Sequence, residues 1–441
     1  MAFSCPSQTP APFDAMTPSS AAQPIADLWE LQSLLRARWL SPEGIKALQE
    51  RRLRAMVRHA YDNVAYYRDL LNSAAIRPDD IRTVEDLRRL PITTKAQLKA
   101  AGIENVIAKG TDLAACIVTS TSGSTGTPFA TYRARRERTR RLVDFRALIS
   151  VGFRPRDRLV ILGSEWAPWR RLQRLGPYRT ESVSRLLPID EQIERIRDAR
   201  PTIMWVHPTQ LHAVLHRVDY RLSAIARPRV LVHAAEVFDD LLKDRIRADL
   251  DVEMFNFYGA IEVGRIAHEC RAHTGLHVNS DSVVLECLNG DSPAGANETG
   301  TAVVTSLNRY TMPFIRYHLG DLCTPLGQRC PCGSSYPMIG PPQGRSWDMI
   351  TLPSGKLVSP LALHTFLRSA EGLDRFRVIQ ESRDHLLVQL SAPKDFPAGW
   401  LAQLEAHLRD RLGEPMRLEI QRVAYLPADA LKFKTFVSKI Q

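Results

Sequence analysis

The sequence predicts an α/β protein: a large, multi-layer N-terminal domain followed by a small, mobile α+β domain. Three observations carry this. Between residues 157 and 306, short apolar runs alternate with helical stretches, the pattern of layered α/β packing around a largely parallel sheet. The last hundred residues change pattern, with paired strand-like runs around one helical stretch. The chain has 441 residues, 44% of them apolar, which is too long for one ordinary core and rich enough to fill two.

The elements follow in order. Met1 to Pro24 is Pro, Ala, Ser and Thr with few large apolar residues, so 1–25 is expected to be a disordered leader. Residues 28–75 read as helical, since no Pro interrupts Gly44 to Ile76. Thr83 with Asp86 three residues on marks a capped helix start that Pro91 ends. Ile117–Thr119 reads as a short strand, and a helix is expected over 134–150. Arg158–Leu162, Thr202–Val206 and Val230–Val232 are buried-strand candidates, with helices at Glu191–Ala199 and Phe238–Leu250. In the tail, Arg377–Glu381 and Leu386–Leu390 read as paired strands, Gly399–Leu412 as a helix and Leu418–Val423 as another strand. A Gly/Pro-rich stretch at 340–344 places the domain boundary at Gly344–Asp348, giving domains 26–345 and 346–441.

Composition narrows the function. No run of 18 apolar residues is present, so no membrane-spanning helix is expected. The first Lys or Arg is Arg36, which argues against a signal or transit peptide and for a cytoplasmic protein. Seven cysteines in such a setting read as reduced thiols, some of them on metal, rather than a disulfide framework. The net charge of +11 is spread along the chain, with one dense stretch at Arg133–Arg141 that reads as a solvated helix face. Aromatic–basic clusters are missing, so nucleic acid is not an expected partner.

Residues 119–128 read Thr-Ser-Thr-Ser-Gly-Ser-Thr-Gly-Thr-Pro and follow a strand. Glycines let backbone N–H groups approach a polyphosphate closely, and hydroxyls add donors. Without Gly-Lys-Ser/Thr this is not a Walker loop. The stretch resembles the phosphate loop of the adenylate-forming superfamily. The chain as a whole resembles the phenylacetate–CoA ligase branch from about residue 28 to the C-terminus. The head segment from His59 to Arg68 and Asp86 to Lys95 is also typical of that branch.

The resemblance implies a set of roles. Thr121, Ser122, Gly123, Ser124, Thr125 and Gly126 would cradle the phosphates of ATP. In Asn256-Phe-Tyr-Gly-Ala-Ile-Glu262, Tyr258 and Gly259 would flank adenine and Glu262 would coordinate Mg²⁺, a cation that takes hard oxygen ligands. Ile261 stands where the family usually has Thr. Ala235 and Glu236, in His233-Ala-Ala-Glu, would form the other wall of the adenine pocket. In Pro313-Phe-Ile-Arg-Tyr-His-Leu-Gly-Asp321, the Asp321 carboxylate would accept both ribose hydroxyls, with Arg316 in support. Gly344-Arg-Ser-Trp-Asp348 resembles the hinge. Arg345 would contact ribose or phosphate there, and Trp347 replaces the usual Asp. The tail around Ala430-Leu-Lys-Phe-Lys selects Lys432 as the catalytic lysine of adenylation, with Lys434 as fallback. His207 in Trp205-Val-His-Pro would face the acid.

Cys330-Pro-Cys332 with Cys270 and His277 upstream gives four ligands in two short clusters. This fits a closed structural zinc site of a kind often carried by that branch, with His273 a competing nitrogen ligand. The expected reaction is ATP-dependent activation of a carboxylic acid, aryl or arylacetic, to acyl-AMP, then transfer to CoA. Transfer to an acyl carrier protein's phosphopantetheine or to an amine is the close alternative. A non-catalytic nucleotide-binding relative, supported by Ile261, Leu431 and Trp347, is the third. The oligomeric state is left open, a dimer among the options.

Overall fold

The computed structural model describes residues 22–440 except 122–128, 136, 138, 164–175, 237, 239, 343–349, 359–366, 368–372, 374, 392–397, 424–425 and 427–435. The expected leader therefore lies outside the described residues up to 21, and the first helix, Ala22–Ala37, begins inside its expected span. The helical region 28–75 is three helices, Ala22–Ala37, Pro42–Asn63 and Ala65–Ser73. Ser41 caps the second, its hydroxyl accepting the Gly44 N–H at 3.1 Å, with Pro42 at the first helical position. Extended Val64 separates the last two. Leu53, Met56, Val57, Ala60, Tyr67 and Leu71 share one buried face.

The largest sheet has nine strands of mixed direction. Arg179–Val183, Arg158–Leu162, Ile203–Val206, Val230–Ala234 and Glu253–Ala260 run parallel in that spatial order. The strand candidates at 158–162, 202–206 and 230–232 fall here, and Arg158–Leu162, Ile203–Val206 and Val230–Ala234 are almost wholly buried, as a sheet covered on both faces requires. From Glu253–Ala260 onward the pairing turns antiparallel, through Gly264–Glu269, Leu276–Val278, Met338–Ile339 and Pro325–Leu326. Helices Ile189–Ala199, Pro208–His216 and Asp240–Asp249 follow successive parallel strands and pack apolar faces on one side of the sheet. Phe145, Leu148 and Phe153 cover the other side, against Trp205, Phe255 and Phe257.

A second sheet, of four antiparallel strands, carries Val283–Asn289, Gly300–Ser306 and Tyr317–Cys323. A hairpin of Cys116–Thr121 and Phe129–Ala134 stands apart from both sheets. The helix expected over 134–150 is thus a strand up to Ala134 and a helix only from Thr139 to Ser150. The alternating burial of Phe129, Thr131 and Arg133 is the strand period that an Arg-rich stretch conceals.

The expectation of reduced thiols throughout is corrected at one place. Cys287 and Cys323 form a disulfide, with Cα atoms 5.9 Å apart. They sit on the two strands that flank Gly300–Ser306, a relation invisible in a linear separation of 36 residues.

Residues from 350 onward build their own core. Ile350, Leu352, Val378, Leu386, Val388, Leu404 and Leu408 pack together. Most of them belong to a four-stranded sheet of Arg375–Ser382, His385–Ser391, Arg417–Val423 and Phe436–Ser438, or to helix Ala398–Leu412 packed against it. The expected boundary itself, 344–348, lies outside the described residues.

Candidate active site

The C-terminal ends of the parallel strands are where an open α/β sheet gathers a ligand site. Strand Glu253–Ala260 ends there and delivers Tyr258 and Gly259, and the turn that follows delivers Glu262. A bulge in the pairing between Tyr258 and Gly259 re-aims this end. Gly259 is required: a Cβ there would meet the Gly264 carbonyl oxygen at 2.6 Å.

From the second sheet comes strand Tyr317–Cys323, which carries Asp321. Thr93, from the segment after Pro91, bridges in parallel to Tyr317. Its N–H donates to the Arg316 carbonyl at 2.8 Å, and its own carbonyl accepts the His318 N–H at 2.9 Å.

The two elements are linked twice. The Tyr258 hydroxyl donates to Asp321 Oδ2 at 2.8 Å, and the Tyr317 hydroxyl donates to Glu262 Oε1 at 3.2 Å. Tyr258 and Glu262 are four residues apart on one segment, and Tyr317 and Asp321 four apart on the other. Tyr258, Glu262 and Tyr317 are buried. Two carboxylates are thus fixed by phenols in a half-dry setting, with oxygens suited to hydroxyl donors or to a hard cation.

Other expected residues sit nearby or elsewhere. Ala235 follows strand Val230–Ala234 with φ of 70°, and Glu236 Oε2 accepts the Thr209 N–H at 2.9 Å. Glu236 therefore caps the first turn of helix Pro208–His216, a role its carboxylate suits at a helix N-terminus. His207 is the residue just before that helix, at the end of strand Ile203–Val206, and it packs so closely on Gly163 that a Cβ there would be 3.2 Å from it. Arg316 is committed elsewhere. Its guanidinium donates to both Glu286 oxygens, at 3.0 and 3.2 Å, and to the Leu90 carbonyl at 2.5 Å. Thr121 ends the first hairpin strand. Ser122, Gly123, Ser124, Thr125, Gly126, Arg345, Trp347, Lys432 and Lys434 lie outside the described residues.

The reading of Arg133–Arg141 as a solvated face is overturned at Arg133, which is 9% exposed on its hairpin strand. Arg140 Nη1 donates to the Ile261 carbonyl at 3.0 Å, beside Glu262. Buried Arg309, which no motif pointed to, donates to the Tyr132 carbonyl at 3.2 Å. Tyr317 and Thr93 were also missed, although both lie inside motifs quoted from the sequence.

The second constellation is the cysteine cluster. Sulfurs of Cys270, Cys330 and Cys332 and a ring nitrogen of His277 all lie within 4.8 Å of one another. Cys270 and Cys330 sulfurs are 3.6 Å apart, and Cys332 Sγ is 3.4 Å from His277 Nε2. Zinc–sulfur bonds of about 2.3 Å at tetrahedral angles put sulfurs about 3.8 Å apart, so the donor set fits that metal. Burial pushes the Cys270 thiol up to about 12, a cost that a bound cation would relieve. His273 is outside the set: its Nδ1 is 3.0 Å from Glu269 Oε1 and its ring stacks on Phe255.

The chain is 27% identical over 340 residues to the phenylacetate–coenzyme A ligase of Thermus thermophilus, an alignment covering 73% of this chain and 74% of that one. It is a relative of the phenylacetate–CoA ligases. The ligase of Escherichia coli is likewise 27% identical, over 314 residues, 64% of this chain and 67% of the other. No protein-family model matches the chain. Among solved structures, a 2-hydroxyisobutyryl-CoA ligase in complex with an acyl-AMP superposes with a TM-score of 0.77 at 19% identity, over 98% of this chain and 96% of that one. An anthranilate-CoA ligase bound to anthranoyl-AMP superposes at 0.55 and 16% identity, over 79% and 73%. The fold of this relative of phenylacetate–CoA ligases is therefore that of the adenylate-forming CoA ligases, with its two-domain architecture.

Proposed function

We propose that the protein activates a carboxylic acid, aryl or arylacetic, with ATP and transfers the acyl group to CoA. The observation that carries this is the double link of Tyr258 to Asp321 and Tyr317 to Glu262, which joins two nucleotide motifs 55 to 63 residues apart. The kinship with phenylacetate–CoA ligases supports the same reading.

In the first half-reaction a carboxylate oxygen of the acid attacks the α-phosphorus. The bond from that phosphorus to the bridging oxygen breaks, and pyrophosphate leaves with the electron pair. Asp321 accepts the two ribose hydroxyls, and the Tyr258 phenol holds its carboxylate in place. Glu262 is the residue that would hold Mg²⁺, which supplies charge neutralisation at the phosphate oxygens. Ser122 to Gly126 bind the phosphates through N–H and hydroxyl donors, and Arg345 contacts ribose or phosphate. Lys432 stabilises the charge that builds as pyrophosphate departs. In the second half-reaction a thiolate attacks the acyl carbon and AMP leaves, after the 346–441 domain has turned about its hinge. His207 lines the acid pocket. Cys270, His277, Cys330 and Cys332 would hold a structural zinc, which would brace the segments that carry them and take no part in the chemistry.

The test is acid-dependent exchange of labelled pyrophosphate into ATP across a panel of aryl, arylacetic and alkyl acids. Exchange with a subset of aryl acids is expected. Binding of ATP with no exchange for any acid would replace this reading with a non-catalytic relative. Adding CoA, a phosphopantetheinylated carrier protein or an amine to the active acid then identifies the acceptor.

A further inference from the structure

The parallel half of the large sheet gathers positive charge at the end opposite the candidate active site. Arg158 and Arg179 are the first residues of two neighbouring parallel strands. Helix Ile189–Ala199 finishes at that same end, with Arg197 in its last turn and Arg200 just beyond it. These four arginines, with Asp198 and Ala199, line an open cavity of about 580 Å³. Small-molecule sites have volumes of roughly 300–1,000 Å³.

The protein does not balance the charge in this cavity. Four guanidinium groups meet one carboxylate, that of Asp198, a net of three positive charges. The last carbonyls of a helix offset only about half a unit charge, so stabilising the helix end accounts for one arginine at most. Neighbouring carboxylates are engaged elsewhere. Asp157 accepts from Arg229 at 2.6 Å, from the Thr202 hydroxyl at 2.8 Å and from the Arg154 N–H at 2.6 Å. Glu181 and Glu191 lie against Arg195, at 3.8 and 2.9 Å.

Two features hold the donors in place. Arg158 Nε donates to the Arg200 carbonyl at 2.6 Å, which pins that guanidinium to the cavity wall and leaves its two Nη groups as donors toward a ligand. Arg200 has φ of 44°, the left-handed conformation that glycine usually supplies after a helix. An arginine there adds a cation to the rim at a conformational cost.

We propose that this cavity binds a small, multiply charged phosphate, at a site separate from that of ATP. Strand Arg158–Leu162 alone spans about 16 Å between the two ends of the sheet, so one phosphate chain cannot serve both. Guanidinium forks match phosphate oxygens two donors at a time. Three net charges in a space of this size suit an anion whose charges lie close together, as in a chain of two or three phosphates. Of the lining residues only Ala199 is apolar and none is aromatic, so neither an acyl chain nor a stacked base is provided for. The inference stands apart from the adenylation reading.

The experiment titrates inorganic tripolyphosphate by calorimetry at about 0.15 M salt into wild type, Arg179→Gln/Arg197→Gln and Arg200→Gly. Wild type should take up one more tripolyphosphate per chain than the double variant, with MgATP affinity equal in the two. Arg200→Gly should weaken that extra event roughly three- to tenfold while the thermal midpoint holds or rises, since glycine adopts the left-handed conformation freely. Orthophosphate should bind there at least about tenfold more weakly, because it reaches fewer of the forks. The same uptake in wild type and the double variant, a parallel loss of MgATP affinity, or citrate binding as tightly as tripolyphosphate would overturn the proposal. So would poly(U) or phosphatidylglycerol vesicles that bind through these arginines when tripolyphosphate does not. If the double variant does not fold, Arg200→Gly decides it: unchanged tripolyphosphate affinity sinks the idea.

Discussion

The phenol of Tyr258 reaches Asp321 Oδ2 across 2.8 Å and so ties the end of the nine-stranded sheet to the four-stranded one. The bond does more than hold two sheets together. It removes one of the carboxylate's orientations and leaves its remaining acceptor sites aimed away from the tyrosine. In the proposed reaction a ribose would meet a pre-set acceptor there rather than a freely rotating one, which is where preorganised binding gains its affinity.

Replacing Tyr258 by Phe should therefore loosen nucleotide binding without touching the acid. One hydrogen bond to a partly exposed carboxylate is worth about 1 kcal/mol, a rise of roughly fivefold in the ATP KM. Asp321→Ala, which removes the acceptor itself, should cost about 3 kcal/mol, roughly a hundredfold. Steady-state kinetics with saturating acid measure both. Equal effects of the two changes would mean that Tyr258 does something other than orient Asp321.

Glu262→Gln should raise the Mg²⁺ needed for half-maximal exchange while sparing binding of free AMP. The amide keeps an oxygen near Tyr317 but loses the charge that a hard cation prefers. A magnesium titration of the exchange reaction reads this directly. An unaltered magnesium dependence would remove Glu262 from the metal's coordination.

These carboxylates were legible in the sequence only through resemblance, because each stands alone in its own stretch and composition assigns it nothing. The parallel strands were legible physically: Leu159–Leu162 and Val230–Val232 are continuous apolar runs that a doubly covered sheet demands. The antiparallel half was hidden. Gly264–Glu269 buries Arg265 and His268, polar residues that break an apolar run. Arg265 is tolerated there because its Nε donates to Asp144 at 3.0 Å and its guanidinium lies 4.8 Å from both the Trp205 and Phe257 ring centres. The same reason explains the misreading of Arg133–Arg141. A sequence pattern registers that arginine prefers water but not that distant parts of the chain can receive it.

The buried ion pair of Arg146 and Asp281 should be a stability determinant with no direct share in catalysis. The guanidinium makes two bonds to Asp281, at 2.5 and 3.0 Å, and others to Asn279, Tyr336 and the Leu34 carbonyl. Both side chains are fully buried. Asp281→Ala strands the cation and should cost about 3–5 kcal/mol, read as a lowered midpoint in denaturant unfolding. A double change to apolar residues of similar volume should recover much of that loss. If the single change is silent, water reaches this network.

Metal analysis of the purified protein should find about one zinc per chain. Cys332→Ser or Cys270→Ser should lower the zinc content and the thermal midpoint together, at a cost on the order of 3 kcal/mol or more. Turnover per folded molecule should change little, because a closed four-ligand site has no position for substrate. Protein free of zinc that is equally stable would end the idea, and so would a variant that stays folded but loses turnover.

The tail lysine should separate the two half-reactions. In the superfamily that this sequence resembles, that lysine reaches the reacting atoms only while the small domain is in its first orientation. Lys432→Ala should then abolish acyl-AMP formation from acid and ATP. It should spare transfer from a pre-made acyl-adenylate to the acceptor. Losing one preorganised cation from a desolvated site costs on the order of 3 kcal/mol, roughly a hundredfold, whereas a solvated tail lysine would cost almost nothing. Lys434→Ala is the control and should be mild. The assignment is wrong if Lys434 is the sensitive position, or if both half-reactions fall together. Trp347 bears on the second step, since it stands where the family's hinge normally has Asp. If its bulk slows the turn of the small domain, wild type will accumulate acyl-AMP and pass it on slowly. Trp347→Asp should then speed transfer and leave adenylation alone, as single-turnover measurements of each step would reveal. An unchanged transfer rate would clear Trp347 of any part in the hinge.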